Sequence, residues 1–200
     1  AEMAEDGTVV KDCWFKDAKP FILPKCPILN LPYVVVPETG EVITQSVACI
    51  FYLAQRLNLQ GPDKSHVGLA KMMQLVCEAQ DLRNAGVKTF YGRVGAESYM
   101  KGSIPNHYSK MEKWLTSHKH TFLLADTPTA PDFHFWEMVD QNETFATEMK
   151  VPSFLTPYPA IQKYHKDFRA LPELKGYFSG PFYKYDCNNP HAKYPMAYKG

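Results

Sequence analysis

The spacing of hydrophobic and polar positions predicts a short hairpin followed by a helix near the start of the chain. Two β-branched runs, at 31–36 and 41–44, flank turn-forming residues that include a glycine. Apolar residues then recur at helical spacing as far as Leu57, with Ser46 as the predicted N-cap. The pattern therefore predicts strand, turn, strand and helix in that order.

The segment before the hairpin has a different character. Residues 1–30 are polar and contain prolines that interrupt helical spacing, so we expect loops there, with a brief strand-like stretch at 8–10. Gly61–Lys64 is the best linker candidate after the first helix. These features predict an α/β domain over residues 1–60.

Beyond the linker the pattern is helical throughout, which predicts an all-helical domain over residues 65–200. The box Thr129-Ala130-Pro131-Asp132, with an acid at its fourth position, predicts the start of one of its helices. Pro181 begins a tail that we expect to be ordered coil. The predicted helices cover 65–92, the segment around 108–115, 130–146, 159–169 and 172–180.

Composition excludes several functional classes. Apolar residues make up 45% and charged residues 22%, which is ordinary for a globular protein and unlike a disordered chain. A net charge of +1 without a Lys/Arg run argues against a nucleic-acid partner. No apolar stretch reaches the roughly 18 residues of a membrane span, so no membrane partner is expected.

Cysteine and histidine usage points away from disulfides and metals. The five cysteines are odd in number and lack CxxC spacing, which is typical of reduced thiols inside a cell. Cys13 and Cys26 lie in the polar segment, and we expect plain thiols at both. His118 and His120 stand without a nearby acid or cysteine, which is a weak metal pattern. No metal cofactor is expected.

The most informative cluster of residues surrounds the predicted hairpin. A proline at a strand start cannot donate a ladder hydrogen bond. A cis Leu31–Pro32 bond would turn the Leu31 N–H and C=O outward, toward an extended peptide-like ligand. Gln45 and Ser46 lie where a strand meets a helix N-terminus, which attracts a carboxylate. The alternative is a proline at a strand start followed by an ordinary N-cap.

Three longer segments carry a family resemblance. The segment "NLPYVV…GEVITQSVACIFYLAQRLNL" resembles the second half of the glutathione-binding domain of cytosolic glutathione transferases. The segments "LADTPTAPDFHFWEMVD" and "YPAIQKYHKDFRALPELKGYFSGPFYK" are similar to that family's helical domain. The closest groups are the tyrosine-type mu, pi and sigma classes. The resemblance implies a thioredoxin-like N-terminal domain, incomplete here, followed by a helical bundle.

The resemblance implies a glutathione site in the first domain. Leu31, beside cis Pro32, would pair its backbone with the cysteinyl unit, and Gln45 and Ser46 would hold the γ-glutamyl carboxylate. The glycyl carboxylate would be bound by the residues Trp14 and Lys19, with support from Asn30. Lys16 is an alternative to Lys19 as the lysine that binds this carboxylate, and Trp14 is alternatively a packing aromatic.

Two further residues are implied in the helical domain. Asp81 matches the family position where an acid reaches across a dimer to the partner's glutathione, the alternative being a solvated acid on a helix face. Tyr91 matches a tyrosine of the electrophile pocket. Phe90 and Met100 could line that pocket too, although core packing is the favoured interpretation of Phe90. Asp132 is expected to cap a helix.

The family's first strand and helix, about thirty residues, have no counterpart in the sequence. That strand carries the Tyr or Ser hydroxyl that stabilises the glutathione thiolate, so the catalytic residue is unknown. Either the sequence is part of a longer enzyme, which its Ala1 start favours, or the protein has lost the hydroxyl. In its 200 residues alone we expect weak glutathione binding and conjugation near the uncatalysed rate.

Two functions follow from the resemblance. The first is a cytoplasmic, homodimeric detoxification enzyme that conjugates glutathione, its co-substrate, to small electrophiles. The second is a non-enzymatic relative with a structural, ligand-binding or assembly role. The implied glutathione residues favour the first function, and the lack of a catalytic hydroxyl favours the second.

Overall fold

A computed structural model of the chain describes residues 2–3, 9–10, 12–189 and 191–196. Its contacts divide into two compact units, Ala1–Leu57 and Asn58–Gly200. The first unit combines short strands with helices, and the elements of the second unit are all helical in the described part of the chain. The predicted fold class, α/β followed by all-α, is confirmed.

The start of the first unit is more ordered than the sequence predicts. Strands β1 (Glu2–Met3) and β2 (Val9–Val10) pair antiparallel, which confirms the strand-like stretch except for Thr8, which lies outside the described residues. The following residues, expected to be loops, are helical instead. They form a π-helical turn at Cys13–Ala18, helix α1 at Lys19–Ile22 and a 3₁₀ turn at Leu23–Lys25.

Proline placement explains that difference. Pro20 and Pro24 each lie within the first two positions of their helical segment. An N–H at such a position has no partner within the helix, so a proline there costs no hydrogen bond. Prolines interrupt a helix only farther along, and here they mark the starts of two short segments.

The hairpin and the helix after it form as predicted. Strands β3 (Tyr33–Val35) and β4 (Val42–Thr44) pair antiparallel, and Tyr33 lies opposite Thr44. Gly40 closes the turn with φ of 71°, a conformation that suits glycine. Helix α2 (Ser46–Arg56) follows directly. The prediction of Ser46 as its N-cap is wrong, because Ser46 is already the first helical residue and Gln45 precedes the helix.

In the described residues, the second unit contains six α-helices, one π-helical turn and two 3₁₀ turns. These elements are α3 (His66–Phe90), α4 (Ala96–Ser98), a π-helical turn (Tyr99–Ser103), α5 (Ile104–His118), α6 (Ala130–Glu148), α7 (Pro159–Arg169), 3₁₀ turns at Pro172–Leu174 and Phe182–Lys184, and α8 (Lys175–Ser179). In the part of the chain that the structure describes, no helix has both the length and the apolar character needed to cross a membrane.

The core of the second unit lies between α3 and α6. The apolar stripe along α3, which is Met72, Leu75, Val76, Ala79 and Leu82, is fully buried. Three polar side chains of this core are paired with one another: the Tyr99 hydroxyl donates to Asn142 Oδ1 at 2.7 Å, and Asn142 Nδ2 donates to the Tyr108 hydroxyl at 3.1 Å. Pairing offsets the cost of burying these polar groups.

The start of α6 is a buried hydrogen-bonding centre. Asp132 is 0% exposed. Its Oδ2 accepts from the Thr129 N–H at 2.7 Å, and the Thr129 side chain accepts from the Asp132 N–H in return, which together form the predicted capping box. The Thr129 hydroxyl also donates to Oδ2 at 2.5 Å. Its Oδ1 accepts from the Leu123 N–H at 2.9 Å. Burial nevertheless dominates and raises the pKa of the Asp132 carboxyl to about 6.

His134, two residues along α6, makes stability depend on pH. Burial and then the nearby Arg83 charge lower its pKa from 6.5 to about 4, and its Nε2 has no hydrogen-bond partner among the described residues. Between pH 6.5 and pH 4 the unfolded state therefore binds the proton more strongly than the folded state. Hence this histidine lowers the free energy of unfolding as the pH falls.

We expect His134→Gln to remove this pH dependence. The free energy of unfolding of the parent protein, relative to His134→Gln, should fall by about 2 kcal/mol between pH 6.5 and pH 4.5. Asp132 titrates in the same range, but it is present in both proteins and cancels in the difference. Urea unfolding at several pH values measures this difference. A constant difference would show that His134 does not resist protonation.

Candidate functional site

The segment before β3 is held to the end of β4 by one buried side chain. Thr44 is 5% exposed, and its hydroxyl accepts from the Asn30 N–H at 2.9 Å and donates to the Asn30 carbonyl oxygen at 2.7 Å. The Pro32 carbonyl oxygen lies 3.4 Å from the same hydroxyl. Thr44 thus fixes the backbone on which the predicted ligand clamp depends.

The clamp residue itself is exposed. Leu31 is 55% exposed, and the Leu31–Pro32 bond is cis, as predicted. The Leu31 N–H donates to Asn30 Oδ1 at 2.9 Å. Asn30 therefore occupies the donor that a peptide-like ligand would use, so such a ligand has to replace the Asn30 side chain or use the Leu31 carbonyl group.

Gln45 and Ser46 lie at the junction of β4 and α2. Gln45 is exposed and has φ of 76° and ψ of 126°, which is rare for a residue with a side chain. Its carbonyl oxygen accepts from the Cys49 N–H at 2.9 Å, so α2 begins immediately after this unusual conformation. A backbone outlier at a helix N-terminus supports a functional role for the junction.

Cys49, on the first turn of α2, contacts the backbone of both the junction and the clamp. It is 4% exposed, and its Sγ lies 3.7 Å from the Pro32 carbonyl oxygen and 3.5 Å from the Ile43 carbonyl oxygen. Burial raises the pKa of its thiol. The thiol therefore acts here as a small packing group and a weak hydrogen-bond donor rather than as a nucleophile.

Trp14 and Lys19 belong to the short helical region of the first unit. Trp14 is half-buried and stacks on Tyr33, with ring centroids 5.9 Å apart. Lys19 is half-buried, with Nζ 5.4 Å from the centre of the Phe15 ring. Its rival Lys16 is exposed and pairs with Asp12 at 2.7 Å. Lys19 has no acid partner among the described residues, so the two lysines differ in that only Lys16 is already paired.

The remaining predicted residues lie in the second unit, on α3 or after it. Asp81 is exposed on the helix surface. Tyr91 follows the last residue of α3, is 39% exposed, and accepts at its hydroxyl from the Asn189 N–H at 3.2 Å. Phe90 is buried in the core, as expected, and Met100 is partly buried against it. Tyr91 is thus attached to the C-terminal segment through its hydroxyl.

The decisive comparison concerns the helical unit. A family model described as glutathione S-transferase, C-terminal domain, matches residues 80–180, which is half of the chain. The chain belongs to the glutathione S-transferase family. The membership predicted from the sequence motifs is therefore confirmed, and the residues around Asn30 and Gln45 belong to the N-terminal unit of a glutathione S-transferase-like protein.

Individual relatives agree with this assignment at modest identity. Glutathione S-transferase P of Bos taurus is 27% identical over 141 residues, a match that covers 68% of this chain and 63% of the bovine protein. The chain thus spans less than two thirds of that relative. Glutathione S-transferase P of Caenorhabditis elegans is 25% identical over 180 residues. That match covers 88% of this chain and 79% of the nematode protein.

A solved structure shows the same fold. The Pi-class glutathione S-transferase of Onchocerca volvulus has a TM-score of 0.66 with 22% sequence identity, and the match covers 81% of this chain and 76% of that chain. All three of these relatives are named as glutathione S-transferases. Among the described residues of this chain, no group of three or more His, Cys, Asp or Glu side chains could hold a metal ion.

Sequence reasoning missed one residue that organises this site. The sequence places Thr44 beside Gln45 and Ser46 but predicts no role for it, although its hydroxyl holds Asn30 across the hairpin. The signal that could have found it is the strand register, because a threonine opposite Tyr33 lies close to the segment that precedes β3.

Proposed function

We propose that this family member binds glutathione and transfers it to small electrophilic molecules. In that reaction the glutathione sulfur loses its proton and forms a carbon–sulfur bond. The electron pair of the bond that breaks leaves with the displaced group. Glutathione is the co-substrate, and no metal takes part.

One observation carries this proposal. The exposed residue Leu31, whose neighbours Asn30 and Pro32 are held by the Thr44 hydroxyl, lies in the same unit as the helix N-terminus at Gln45 and Ser46. Cys49 contacts both parts, since its thiol approaches the Pro32 carbonyl oxygen and its N–H donates to Gln45. A backbone clamp beside an anion-attracting helix start suits a short peptide that carries a carboxylate.

The proposed roles follow the chemistry of each group. Gln45 and Ser46 bind the γ-glutamyl carboxylate at the start of α2, and the Leu31 backbone pairs with the cysteinyl unit beside Pro32. Trp14 and Lys19 bind the glycyl carboxylate, and Asn30 supports the Leu31 N–H until the ligand replaces it.

The remaining roles concern assembly and the second substrate. Asp81 reaches the glutathione of a partner copy in a homodimer, and its exposed position on α3 is compatible with this role. Tyr91 contributes to the electrophile site. We further propose that the protein acts in the cytoplasm, as a detoxification enzyme.

Replacing Ser46 should weaken glutathione binding. A hydrogen bond to a charged group contributes about 1.5–3 kcal/mol, so we expect Ser46→Ala to raise the Kd roughly tenfold or more. Isothermal titration calorimetry with reduced glutathione measures the effect. Ser109→Ala, an exposed serine on α5, is the matched control and should leave the Kd unchanged. Equal affinities for the parent and Ser46→Ala would exclude Ser46 from the site.

The alternative is a glutathione-binding relative without conjugating activity. The packing of Tyr33, the first tyrosine of the sequence, favours it, because this ring is stacked on Trp14. Initial rates with glutathione and 1-chloro-2,4-dinitrobenzene separate the two functions. A saturable rate above the uncatalysed reaction, reduced by Ser46→Ala, supports the enzyme. Calorimetric binding without such a rate supports the alternative.

A further inference from the structure

A cavity lies between α6 and α7 in the helical unit, apart from every residue assigned to glutathione. Its volume is about 280 Å³. One face of α6, the second half of α7 and the 3₁₀ turn at Phe182–Lys184 form its walls. Every lining side chain is polar, so the cavity suits a polar ligand. The lining residues are Asp140, Glu143, Thr144, Thr147, His165, Arg169 and Tyr183.

A hydrogen-bonded network centred on buried Asp140 fixes one side of the cavity. The Asp140 Oδ1 atom accepts from His165 Nε2 at 2.7 Å, and its Oδ2 atom accepts from the Tyr183 hydroxyl at 2.7 Å. The same hydroxyl accepts from Arg169 Nη1. Asp140 and Arg169 are therefore joined through one hydroxyl group, and their opposite charges balance each other.

The bond to Asp140 also decides which nitrogen of His165 remains available. An ionised carboxylate can only accept, so Nε2 carries the proton and Nδ1 of the neutral ring is an acceptor. The ring is held by Trp136, whose ring lies parallel to it within 7° at 5.3 Å between centroids. Trp136 Nε1 also donates to the His165 carbonyl oxygen at 3.0 Å. The position of the Nδ1 acceptor is thus fixed before a ligand binds.

A second acceptor comes from the Glu143 carboxylate. Its Oε1 atom accepts from the Phe154 N–H at 3.0 Å, and none of the ion pairs in the described part of the chain includes Glu143. Neither Glu143 Oε2 nor His165 Nδ1 has a partner among the described residues, and neither belongs to the buried atoms without one. Both atoms are therefore accessible, on residues that line the cavity.

The two threonines add acceptors rather than donors. The Thr144 hydroxyl donates to the Asp140 carbonyl oxygen at 3.0 Å, and the Thr147 hydroxyl donates to the Glu143 carbonyl oxygen at 3.1 Å. Since each hydroxyl proton is used, the oxygen retains only lone pairs. Arg169 is the lining residue with further N–H groups, and its guanidinium lies 4.9 Å from the centre of the Tyr183 ring, on the side of Asp140.

Charge and hydrogen-bonding capacity together define a ligand class. Because Asp140 and Arg169 balance each other and His165 is neutral, Glu143 leaves the lining with one negative charge. The accessible acceptors need N–H donors. We propose that this cavity binds small primary ammonium ions, whose three N–H donors match the acceptors of Glu143 and His165. The volume is below the roughly 300–1,000 Å³ of pockets for drug-sized ligands, which limits the ligand to a short alkylamine.

Titration with simple probes in phosphate buffer of constant ionic strength tests the proposal on the whole chain. Ethylammonium carries both the charge and the donors, ethanol lacks the charge, tetramethylammonium lacks the donors, and acetate has the opposite charge. The indole N–H resonance of Trp136 reports binding beside His165, and it is the indole signal that remains in both Trp14→Phe and Trp114→Phe. We expect ethylammonium to bind with a Kd in roughly the millimolar range, at least about fivefold more tightly than the other probes.

Three substitutions complete the test. Glu143→Gln keeps an oxygen for the Phe154 N–H but removes the charge, so the Kd for ethylammonium should rise about tenfold. His165→Gln keeps an N–H donor for Asp140 but removes the ring acceptor, so the Kd should rise about threefold. Glu148→Gln, at an exposed acid on the same helix, is the matched control and should leave the Kd unchanged.

The outcomes that would overturn the proposal are equally specific. A Trp136 resonance that does not shift saturably with ethylammonium excludes the site. Equal affinities of the parent and a folded Glu143→Gln protein for ethylammonium exclude Glu143 as the ligand of the charge. If Glu143→Gln does not fold, the probes decide on the parent protein alone, because binding of tetramethylammonium or ethanol as tightly as ethylammonium would overturn the assignment of a primary ammonium ion.

Discussion

Asp132→Ala is expected to lower the free energy of unfolding by about 3–5 kcal/mol. The substitution leaves three donors without an acceptor, namely the Leu123 N–H, the Thr129 N–H and the Thr129 hydroxyl. Two of them are backbone groups in a region without access to water. Leaving each of them without an acceptor therefore costs nearly the full free energy of desolvation. Chemical denaturation at pH 7.5, where the carboxyl is ionised, measures the loss.

An exposed aspartate provides the matched control. Asp126 accepts from the Thr121 N–H at 2.9 Å and from the Thr121 hydroxyl at 3.1 Å, but it lies on the surface. Water can replace Asp126, so Asp126→Ala should cost under about 1 kcal/mol. If the two alanine variants were equally stable, the buried network at the start of α6 would contribute no more than a surface turn.

Gly68→Ala is the second substitution with a large expected effect. A Cβ atom at Gly68 would lie 2.0 Å from the Asp63 carbonyl oxygen, a backbone atom that cannot rotate away. The same glycine donates its N–H to the Ser65 hydroxyl at 3.2 Å, which caps α3. Displacing Asp63 therefore disturbs the helix start as well. We expect a loss of about 3 kcal/mol or more in the free energy of unfolding.

Gly102→Ala tests whether the loss comes from the clash rather than from glycine itself. Gly102 lies in the π-helical turn Tyr99–Ser103, and a Cβ atom there meets nothing within 4 Å. Alanine restricts the unfolded chain, so this variant should be unchanged or more stable by up to about 1 kcal/mol. A Gly68→Ala protein as stable as the parent would show that the segment around Asp63 moves aside at little cost.

Local signals predicted much of this structure. The 65–92 helix, the Thr129–Asp132 capping box and the 159–169 helix depend on residues a few positions apart, and the structure confirms each of them. The hairpin also has a local origin, because turn residues lie between two β-branched runs. Such elements are visible in a sequence because the interactions that form them span only a turn or a strand pair.

Interactions between distant segments were not predictable in this way. Nothing near Gln60 in the sequence indicates that this residue and Trp114 line the same cavity. The sequence does not predict the helical segments around Pro20 for a different reason. A proline that interrupts a helix and a proline that begins one cannot be distinguished in a sequence unless the helix boundary is already known. For the predicted glutathione residues, the structure adds the backbone anchor Thr44, while their roles stay predictions.

The buried position of Cys49 lets its alkylation rate report on local opening of the first unit. An alkylating reagent attacks the thiolate, and the Cys49 thiol is both buried and shifted away from ionisation. Exposed Cys13 and Cys77 should therefore react first, and Cys49 only when α2 separates from the hairpin. The labelling rate of this one thiol thus measures local opening, and a ligand that bridges the hairpin and α2 would slow it.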